Sequence, residues 1–160
     1  MGGLSRSARR AHEAMAALGF DAQIVEVPDS ARTAVEAAAA VGCELGQIAK
    51  SLVFRGPGDA PFIVITSGTN RADEAKVAAI AGGPVIMGDA DYVRAHTGFA
   101  IGGVPPAGHP ERIPAVIDED LLGYAEVWAA AGNPRAVFPL SPQALVELAQ
   151  ARPADVATRG

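Results

Sequence analysis

Lys50 and a loop rich in glycine and proline, residues 97–109, are the two features of this sequence that could do chemistry. Lys50 is one of only two lysines in the chain, and it opens the apolar segment 50–54. In a strand Lys50 shares a face with Leu52 and Phe54, which we expect to face the core, so its ammonium would lie at the rim of an apolar pocket. There it would stabilise a phosphate or an ester oxyanion, because the local dielectric is low. The alternative is a Lys50 that reaches solvent or pairs with a carboxylate.

The loop could hold an oxygen atom of a ligand through its backbone. Gly102 and Gly103 permit positive φ and let a ligand approach the backbone closely, while Pro105 and Pro106 stiffen the second half of the loop. Successive N–H groups in such a turn can form a nest for an anion or a carbonyl oxygen. His109 could act as a general base or bind a ribose. The alternatives are an ordinary tight turn and a histidine on a surface loop.

Composition narrows the classes of function. The 160 residues are 49% hydrophobic, which predicts one globular domain over residues 1–160. With 13 basic and 18 acidic residues, the formal net charge of −5 argues against broad binding to DNA or other nucleic acids, but it permits recognition of an RNA end by a local pocket. One cysteine and three scattered histidines are not spaced for a metal site, and nothing indicates a cofactor.

The N-terminus carries Arg6, Arg9 and Arg10, but no apolar signal core follows them. No hydrophobic run approaches the roughly 20 residues that span a membrane. We therefore expect a cytoplasmic protein without a membrane partner.

Periodicity and turn residues predict an α+β fold, in which helices surround a mixed, partly closed, barrel-like sheet of a single domain. An N-terminal helix lies within residues 1–20, and the tail 152–160 is expected to be frayed. Thr33 and Glu36 form a capping box, and Asn70 is expected to cap a further helix. Helices are predicted over 5–18, 33–41, 71–80, 89–95 and 141–149, and strands over 23–27, 50–55, 62–66, 85–87, 115–117, 125–129 and 136–139.

Two further groups have mainly structural interpretations. The acidic run Asp118, Glu119 and Asp120 at a strand end is typical of a solvated turn. Cys43 follows an alanine-rich helix and is expected to be a small buried side chain, with a nucleophilic cysteine as the alternative.

The order of several segments resembles the YbaK / prolyl-tRNA-synthetase-associated editing domain family. The resemblance covers about residues 31–148, and each segment alone would be weak. It rests on Asp73, Lys76 and the segments 30–33, 47–54, 67–71, 97–106, 127–134 and 137–140. The resemblance implies a mixed, barrel-like sheet and a freestanding protein that hydrolyses wrongly attached amino acids from tRNA, mostly tRNA for proline.

The resemblance also implies site residues and partners. The family's functional lysine falls on Lys50 and its G-x-x-x-P loop on residues 102–106, so Gly102 and Gly103 join Lys50 as expected catalytic residues. A hydroxyl of the substrate's ribose could serve as general base. Partners would be the acceptor end of aminoacyl-tRNA and prolyl-tRNA synthetase. The expected substrate-binding residues are Ile48, Ser51, Val104, Pro105, Pro106, His109, Ala130 and Gly132.

One position departs from the cysteine-specific members, which carry a serine where this chain has Ala130. A pocket containing Ala130 would suit a small aliphatic amino acid such as alanine, although cysteine stays open because a pocket separates such side chains by only about 1–3 kcal/mol. Two rival interpretations remain. One is a non-catalytic module that binds a tRNA end or a synthetase, and the other is a hydrolase of small esters that uses Cys43 or His109.

Overall fold

The computed structural model describes residues 3–31 and 33–159 and has the predicted α+β architecture. Five α-helices lie in the described part of the chain: α1 Arg6–Ala16, α2 Ala34–Val41, α3 Glu74–Ala81, α4 Ala90–Thr97 and α5 Pro142–Ala149. The strands there are β1 Val25–Glu26, β2 Ile48–Arg55, β3 Pro61–Ser67, β4 Ile86–Met87, β5 Ala115–Asp118, β6 Val127–Ala130, β7 Ala136–Leu140 and β8 Arg152–Ala154. The predicted mixed α/β fold class is confirmed.

The strands form one mixed sheet in the order β1-β7-β6-β2-β3-β5-β8, with β4 added beside β2. The hairpin β2–β3 is antiparallel, whereas β6 runs parallel to β2 and β5 runs parallel to β3. Both faces are covered. One cluster includes Ile63, Ile117 and Phe138, and a smaller cluster on the other face surrounds Phe54 and Val64.

Strand β2 has one fully paired side and one interrupted side. It pairs with β3 along Ala49–Arg55, but on its other side it meets β6 only at Ile48 and Ala49 and β4 only at Phe54 and Arg55. Because Gly88 N–H, directly after β4, also donates to Val53 O, the segment 50–52 borders a gap between β6 and β4. Lys50, which the sequence analysis identified, lies where β2 lacks a neighbouring strand on this side.

The helix boundaries follow their capping residues. Thr33 and Glu36 make the predicted capping box of α2, in which Thr33 Oγ1 accepts from Glu36 N and Glu36 Oε1 accepts from Thr33 N. The prediction that Asn70 caps the next helix is wrong. Asp73 caps α3 instead, because its Oδ1 accepts from the N–H groups of Ala75 and Lys76.

The C-terminal segment corrects the prediction of a frayed tail over 152–160. Strand β8 pairs in parallel with β5, and Val156 and Ala157 are completely buried. Asp73 N–H donates to Val156 O at 2.8 Å, and Lys76 Nζ donates to Ala157 O at 2.7 Å. Residues 152–157 are held in place because they cover the open edge of β5 and bury apolar side chains.

The acidic run is also not the solvated turn that we expected. Asp118 is completely buried, and its Oδ2 accepts from Ser67 N–H at 3.1 Å and from Asn70 Nδ2 at 2.8 Å. Its Oδ1 accepts from Asp120 N–H at 3.0 Å. Asp118 thus ties the end of β3 to the end of β5.

None of the helices in the described part of the chain is long and apolar enough to cross a membrane.

Candidate functional site

A cavity of about 220 Å³ lies at the gap beside β2. Its walls come from β2, β4, β6 and β7, from helix α2, and from the loops around Gly102 and Pro134. The lining residues are Thr33, Ala34, Ala37, Ile48, Ala49, Lys50, Ser51, Leu52, Val53, Met87, Gly88, Val93, Ile101, Gly102, Val104, Trp128, Ala130, Pro134 and Val137. The walls are mainly apolar, and among the described residues that line them Lys50 is the one charged side chain.

Lys50 is half-buried in the cavity wall. No hydrogen bond or salt bridge joins its ammonium to any residue in the described ranges. On the same face of β2, Phe54 is buried in the core while Leu52 is half-buried in the cavity wall. A cation without a carboxylate partner, beside apolar walls, is suited to bind an anion or a developing negative charge.

The backbone of β2 adds polar groups to this apolar cavity. Gly68 N–H donates to Ile48 O, which directs the backbone groups of even-numbered β2 residues toward β3, since they alternate along an antiparallel ladder. The N–H and carbonyl of Ser51 therefore point to the gap. The Ser51 hydroxyl is also buried without a hydrogen-bond partner among the described residues.

The glycine-proline loop contributes one glycine to the cavity rather than two. Gly102 is exposed, has a φ of +88° and lines the cavity together with Ile101 and Val104. No acceptor for the Gly102 N–H is present within residues 3–31 and 33–159. This group is free to donate to an oxygen atom in the cavity.

Gly103 does not have the role that we expected. It is buried, its N–H donates to Ala100 O at 3.0 Å, and its carbonyl accepts from Gly132 N–H at 2.8 Å. A Cβ at this position would lie 2.5 Å from Asn133 Cα. Gly103 therefore holds the loop in place, and its N–H is not available to a ligand.

Four other expected substrate-binding residues support the loops and do not line the cavity. Pro105 and Pro106 are buried in the fold, and His109 Nε2 donates to Pro105 O at 2.8 Å. Burial lowers the pKa of His109, and the bond to Pro105 opposes this only in part. Gly132 packs against helix α1, where a Cβ would lie 2.2 Å from Ser7 O.

The remaining expected residues Ile48, Ser51, Val104 and Ala130 all line the cavity. Sequence reasoning missed Trp128 and the α2 wall formed by Ala34 and Ala37. The alternation of side chains in a strand could have found Trp128, because it lies two residues before Ala130 in β6 and shares its face. No local signal indicates that α2 packs here, because that depends on contacts with distant strands.

Cys43 is half-buried and does not line the cavity. Burial raises the pKa of its thiol, and the carboxylate of Glu126 adds to that effect. A thiol that is held protonated and lies away from the cavity is not a nucleophile for this site. Residues 3–31 and 33–159 contain no group of three or more His, Cys, Asp or Glu side chains that could hold a metal ion.

Comparison with protein families agrees with this geometry. The family model of the aminoacyl-tRNA editing domain matches residues 28–148. The match includes Lys50, the loop around Gly102 and the strand that carries Ala130, and it therefore spans every strand that lines the cavity.

Several individual proteins are similar to this chain. A solved structure described as a candidate trans-editing enzyme for prolyl-tRNA synthetase superposes with a TM-score of 0.95 at 51% identity, covering 98% of this chain and 100% of that one. The structure of the hypothetical protein APE2540 superposes with a TM-score of 0.83 at 32% identity, covering 93% of this chain and 99% of that one.

Two relatives are similar in sequence. The uncharacterized protein YwhH of Bacillus subtilis is 32% identical over 78% of this chain and 79% of its own length. EbsC of Enterococcus faecalis, described as a candidate Cys-tRNA(Pro)/Cys-tRNA(Cys) deacylase, is 27% identical over 79% of this chain and 78% of its own length.

Proposed function

The chain belongs to the aminoacyl-tRNA editing domain family and is an aminoacyl-tRNA deacylase; on that premise we propose that it removes a small amino acid from mischarged tRNA for proline at the cavity beside β2. The observation that carries the proposal is Lys50, an ammonium without a carboxylate partner among the described residues, in the apolar wall of a cavity that Gly102 also lines.

The reaction is hydrolysis of the ester that joins the amino acid to the terminal ribose. Water adds to the carbonyl carbon, the bond from that carbon to the ribose oxygen breaks, and the ribose oxygen takes a proton. The ester is already activated, so the protein needs to hold the carbonyl, place the water and stabilise the oxyanion. A free hydroxyl of the substrate's ribose serves as general base, since the described residues that line the cavity include no histidine or carboxylate.

Each polar group of the cavity has a part in this scheme. The Lys50 ammonium neutralises the oxyanion or the terminal phosphate, and the Gly102 N–H donates to the carbonyl oxygen. At the open edge of β2, the Ser51 carbonyl accepts a hydrogen bond from the substrate's amino group. The Ser51 hydroxyl donates a hydrogen bond to the ribose. Lys50 is the charged side chain that the described part of the cavity lining supplies for the developing negative charge.

The walls favour a small amino acid. The cavity, of about 220 Å³, has to hold the ester and part of the ribose as well as the amino acid, which leaves limited volume for the substrate's own side chain. Alanine and cysteine are of suitable size. The absence of a hydroxyl at Ala130 favours alanine, because the wall offers the sulfur of cysteine no polar partner there.

The choice of tRNA and partner rests on the relatives. The structure with a TM-score of 0.95 is described as an editing enzyme for prolyl-tRNA synthetase, and EbsC is described as acting on Cys-tRNA for proline or cysteine. We therefore assign tRNA for proline as substrate and prolyl-tRNA synthetase as partner. We propose the cytoplasm as its location, because that is where tRNA is charged and used.

Deacylation of labelled tRNA for proline carrying Ala, Cys, Ser or Pro tests the proposal. We expect the wild type to hydrolyse alanine rapidly from tRNA for proline and to leave correctly attached proline in place. Lys50→Ala should hydrolyse neither ester. Lys76→Ala is the matched control, because Lys76 is the other lysine, pairs with Asp155 and lies outside the cavity lining. If folded wild type protects every ester from hydrolysis, the protein is a binding module and the proposal is wrong.

A further inference from the structure

Helix α1 carries three arginines that the fold does not neutralise. Arg6, Arg9 and Arg10 are exposed, and none of them forms a salt bridge with a residue that the structure describes. Arg6 and Arg9 also have no hydrogen-bond partner among the described residues. Four other cations of the chain do pair with aspartates: Arg55, Lys76, Arg135 and Arg159.

Arg10 is held in place without losing its charge. Its Nη2 donates to Gly98 O at 2.8 Å, and its guanidinium lies 4.6 Å from the centre of the Phe99 ring. Neither partner is a carboxylate, so a full positive charge remains at this position. A guanidinium fixed in this way presents its other N–H groups to a phosphate with little further loss of freedom.

The carboxylates nearby form no ion pair with the three arginines in the described structure, and they are too few to neutralise the positive charge. Glu13 is the only acidic residue of α1, and it forms no ion pair with the described residues. Glu26, on β1, approaches the start of the helix, but its Oε1 accepts from Ser5 N–H at 2.7 Å. The exposed side of α1 is therefore locally basic on a chain whose formal net charge is −5.

The N-terminal half of α1 touches both loops that border the cavity. Asn133 Nδ2 donates to Ser7 Oγ at 2.9 Å, and the next residue, Pro134, lines the cavity. On the other side, Arg10 contacts Gly98 and Phe99, and Ile101 follows in the same loop at the cavity wall. The half of the helix that carries the three arginines thus contacts both loops that border the cavity.

We propose that Arg6, Arg9 and Arg10 form a docking surface for the phosphates of the acceptor arm of the tRNA whose 3′ end enters the cavity. The inference rests on the proposed function for the identity of the RNA. A nucleic acid is the partner that the chemistry favours, because it brings several phosphates in a row to a row of arginines. An anionic membrane fits poorly, because the apolar side of α1, at Ala8, Ala11 and Met15, is completely buried in the fold.

The double variant Arg6→Glu/Arg9→Glu tests the surface, because neither side chain supports the fold. Arg71→Glu/Arg152→Glu is the matched control, since it makes the same change in charge at two exposed arginines without ion pairs. Arg152 lies in β8, at the opposite end of the sheet from β1, where the start of α1 is anchored. Each protein is assayed with aminoacyl-tRNA and with an aminoacylated CCA trinucleotide that lacks the acceptor stem.

We expect kcat/KM on aminoacyl-tRNA to fall about tenfold in Arg6→Glu/Arg9→Glu, mainly through KM, and to stay unchanged in the control. Hydrolysis of the trinucleotide ester should be the same in all three proteins. Binding of uncharged tRNA should depend less steeply on salt in the α1 variant, with the slope reduced by about 2.

Three results would overturn the proposal: unchanged activity on aminoacyl-tRNA, an equal loss on the trinucleotide ester, or an equal loss in the control variant. A loss that occurs only when prolyl-tRNA synthetase is added would assign the surface to a protein partner instead. If wild type hydrolyses neither substrate, the proposed function fails. The salt dependence of binding to uncharged tRNA still decides whether the arginines contact RNA.

Discussion

Gly132 N–H donates to the carbonyl of Gly103 at 2.8 Å, and this bond joins the two loops that flank the cavity. No side chain fits at either glycine, because a Cβ on Gly103 would meet the backbone of Gly132 and Asn133, and a Cβ on Gly132 would meet the backbone of Ser7. The start of helix α1 also holds the second loop, because Asn133 Nδ2 donates to Ser5 Oγ and Ser7 Oγ. The position of Gly102 at the cavity is therefore set by contacts outside the cavity.

Gly103→Ala should abolish deacylation and destabilise the fold. The new Cβ would lie 2.5 Å from Asn133 Cα and 2.7 Å from Gly132 C, which are backbone atoms that cannot rotate away. We expect a loss of about 1–3 kcal/mol in the free energy of unfolding, measured in urea. Gly123→Ala is the control, because nothing lies within 4 Å of its Cβ position. A Gly103→Ala protein with wild-type activity would contradict the assignment of this contact.

Ser51→Ala should lower activity without lowering stability. The Ser51 hydroxyl is buried and has no partner in the described part of the chain, so removing it leaves no new unsatisfied group. If it binds substrate, kcat/KM falls by about tenfold, which corresponds to one hydrogen bond of about 1.4 kcal/mol.

Thr66→Val is the matched control for Ser51→Ala. The Thr66 hydroxyl is likewise buried without a described partner, but Thr66 does not line the cavity. Both variants should unfold at the same or higher urea concentration than wild type. Equal activities of the two variants would show that the Ser51 hydroxyl does not contact the substrate.

Local sequence signals were sufficient where a contact spans few residues. Thr33 and Glu36 predict their capping box because they are three positions apart, and alternation places Lys50 and Leu52 on one face of β2. The same signals fail for Asp118, whose partners Ser67 and Asn70 lie 51 and 48 residues away. A run of three acidic residues looks solvated until those distant donors are known.

The site residues likewise fall into those that local signals predict and those that depend on how distant segments meet. Strand position predicts that Ile48 and Ala130 can reach one pocket, and both line the cavity. The N–H of Gly103 looked available because its partner, Ala100 O, depends on how the loop turns. Strand β8 escaped prediction because three residues form a strand only when an edge such as that of β5 is open to them.

Asp118→Asn should destabilise the fold although the side chain keeps its shape. All the polar groups around Asp118 are donors: Ser67 N–H, Asn70 Nδ2 and Asp120 N–H. An amide in either orientation sets its own NH₂ against at least one of them. We expect a loss of about 1–3 kcal/mol in the free energy of unfolding. Glu119→Gln, an exposed neighbour without a described partner, should leave stability unchanged. Equal stability of the two variants would contradict this account.

Stability should fall as the pH is lowered through 6.5, because His109 is buried. Burial lowers the pKa of His109 in the folded protein, whereas in the unfolded chain it titrates near its ordinary value of about 6.5. Below that pH the unfolded chain binds a proton that the folded protein does not, so unfolding is favoured. The effect is at most about 1.4 kcal/mol for each pH unit between the two pKa values.

His109→Gln separates this titration from all others. The glutamine amide can donate to Pro105 O as His109 Nε2 does, but it takes up no proton. Urea unfolding at pH 7.5 and 5.5 should show a larger loss of stability in wild type than in His109→Gln. The range stops at pH 5.5 because carboxylates, with ordinary pKa values near 4, stay ionised in the unfolded chain down to about that pH. In the folded protein the bonds from Arg159 and Asn70 lower the pKa of Asp120 further. Equal losses in the two proteins would mean that His109 is protonated in the folded state as readily as in the unfolded chain.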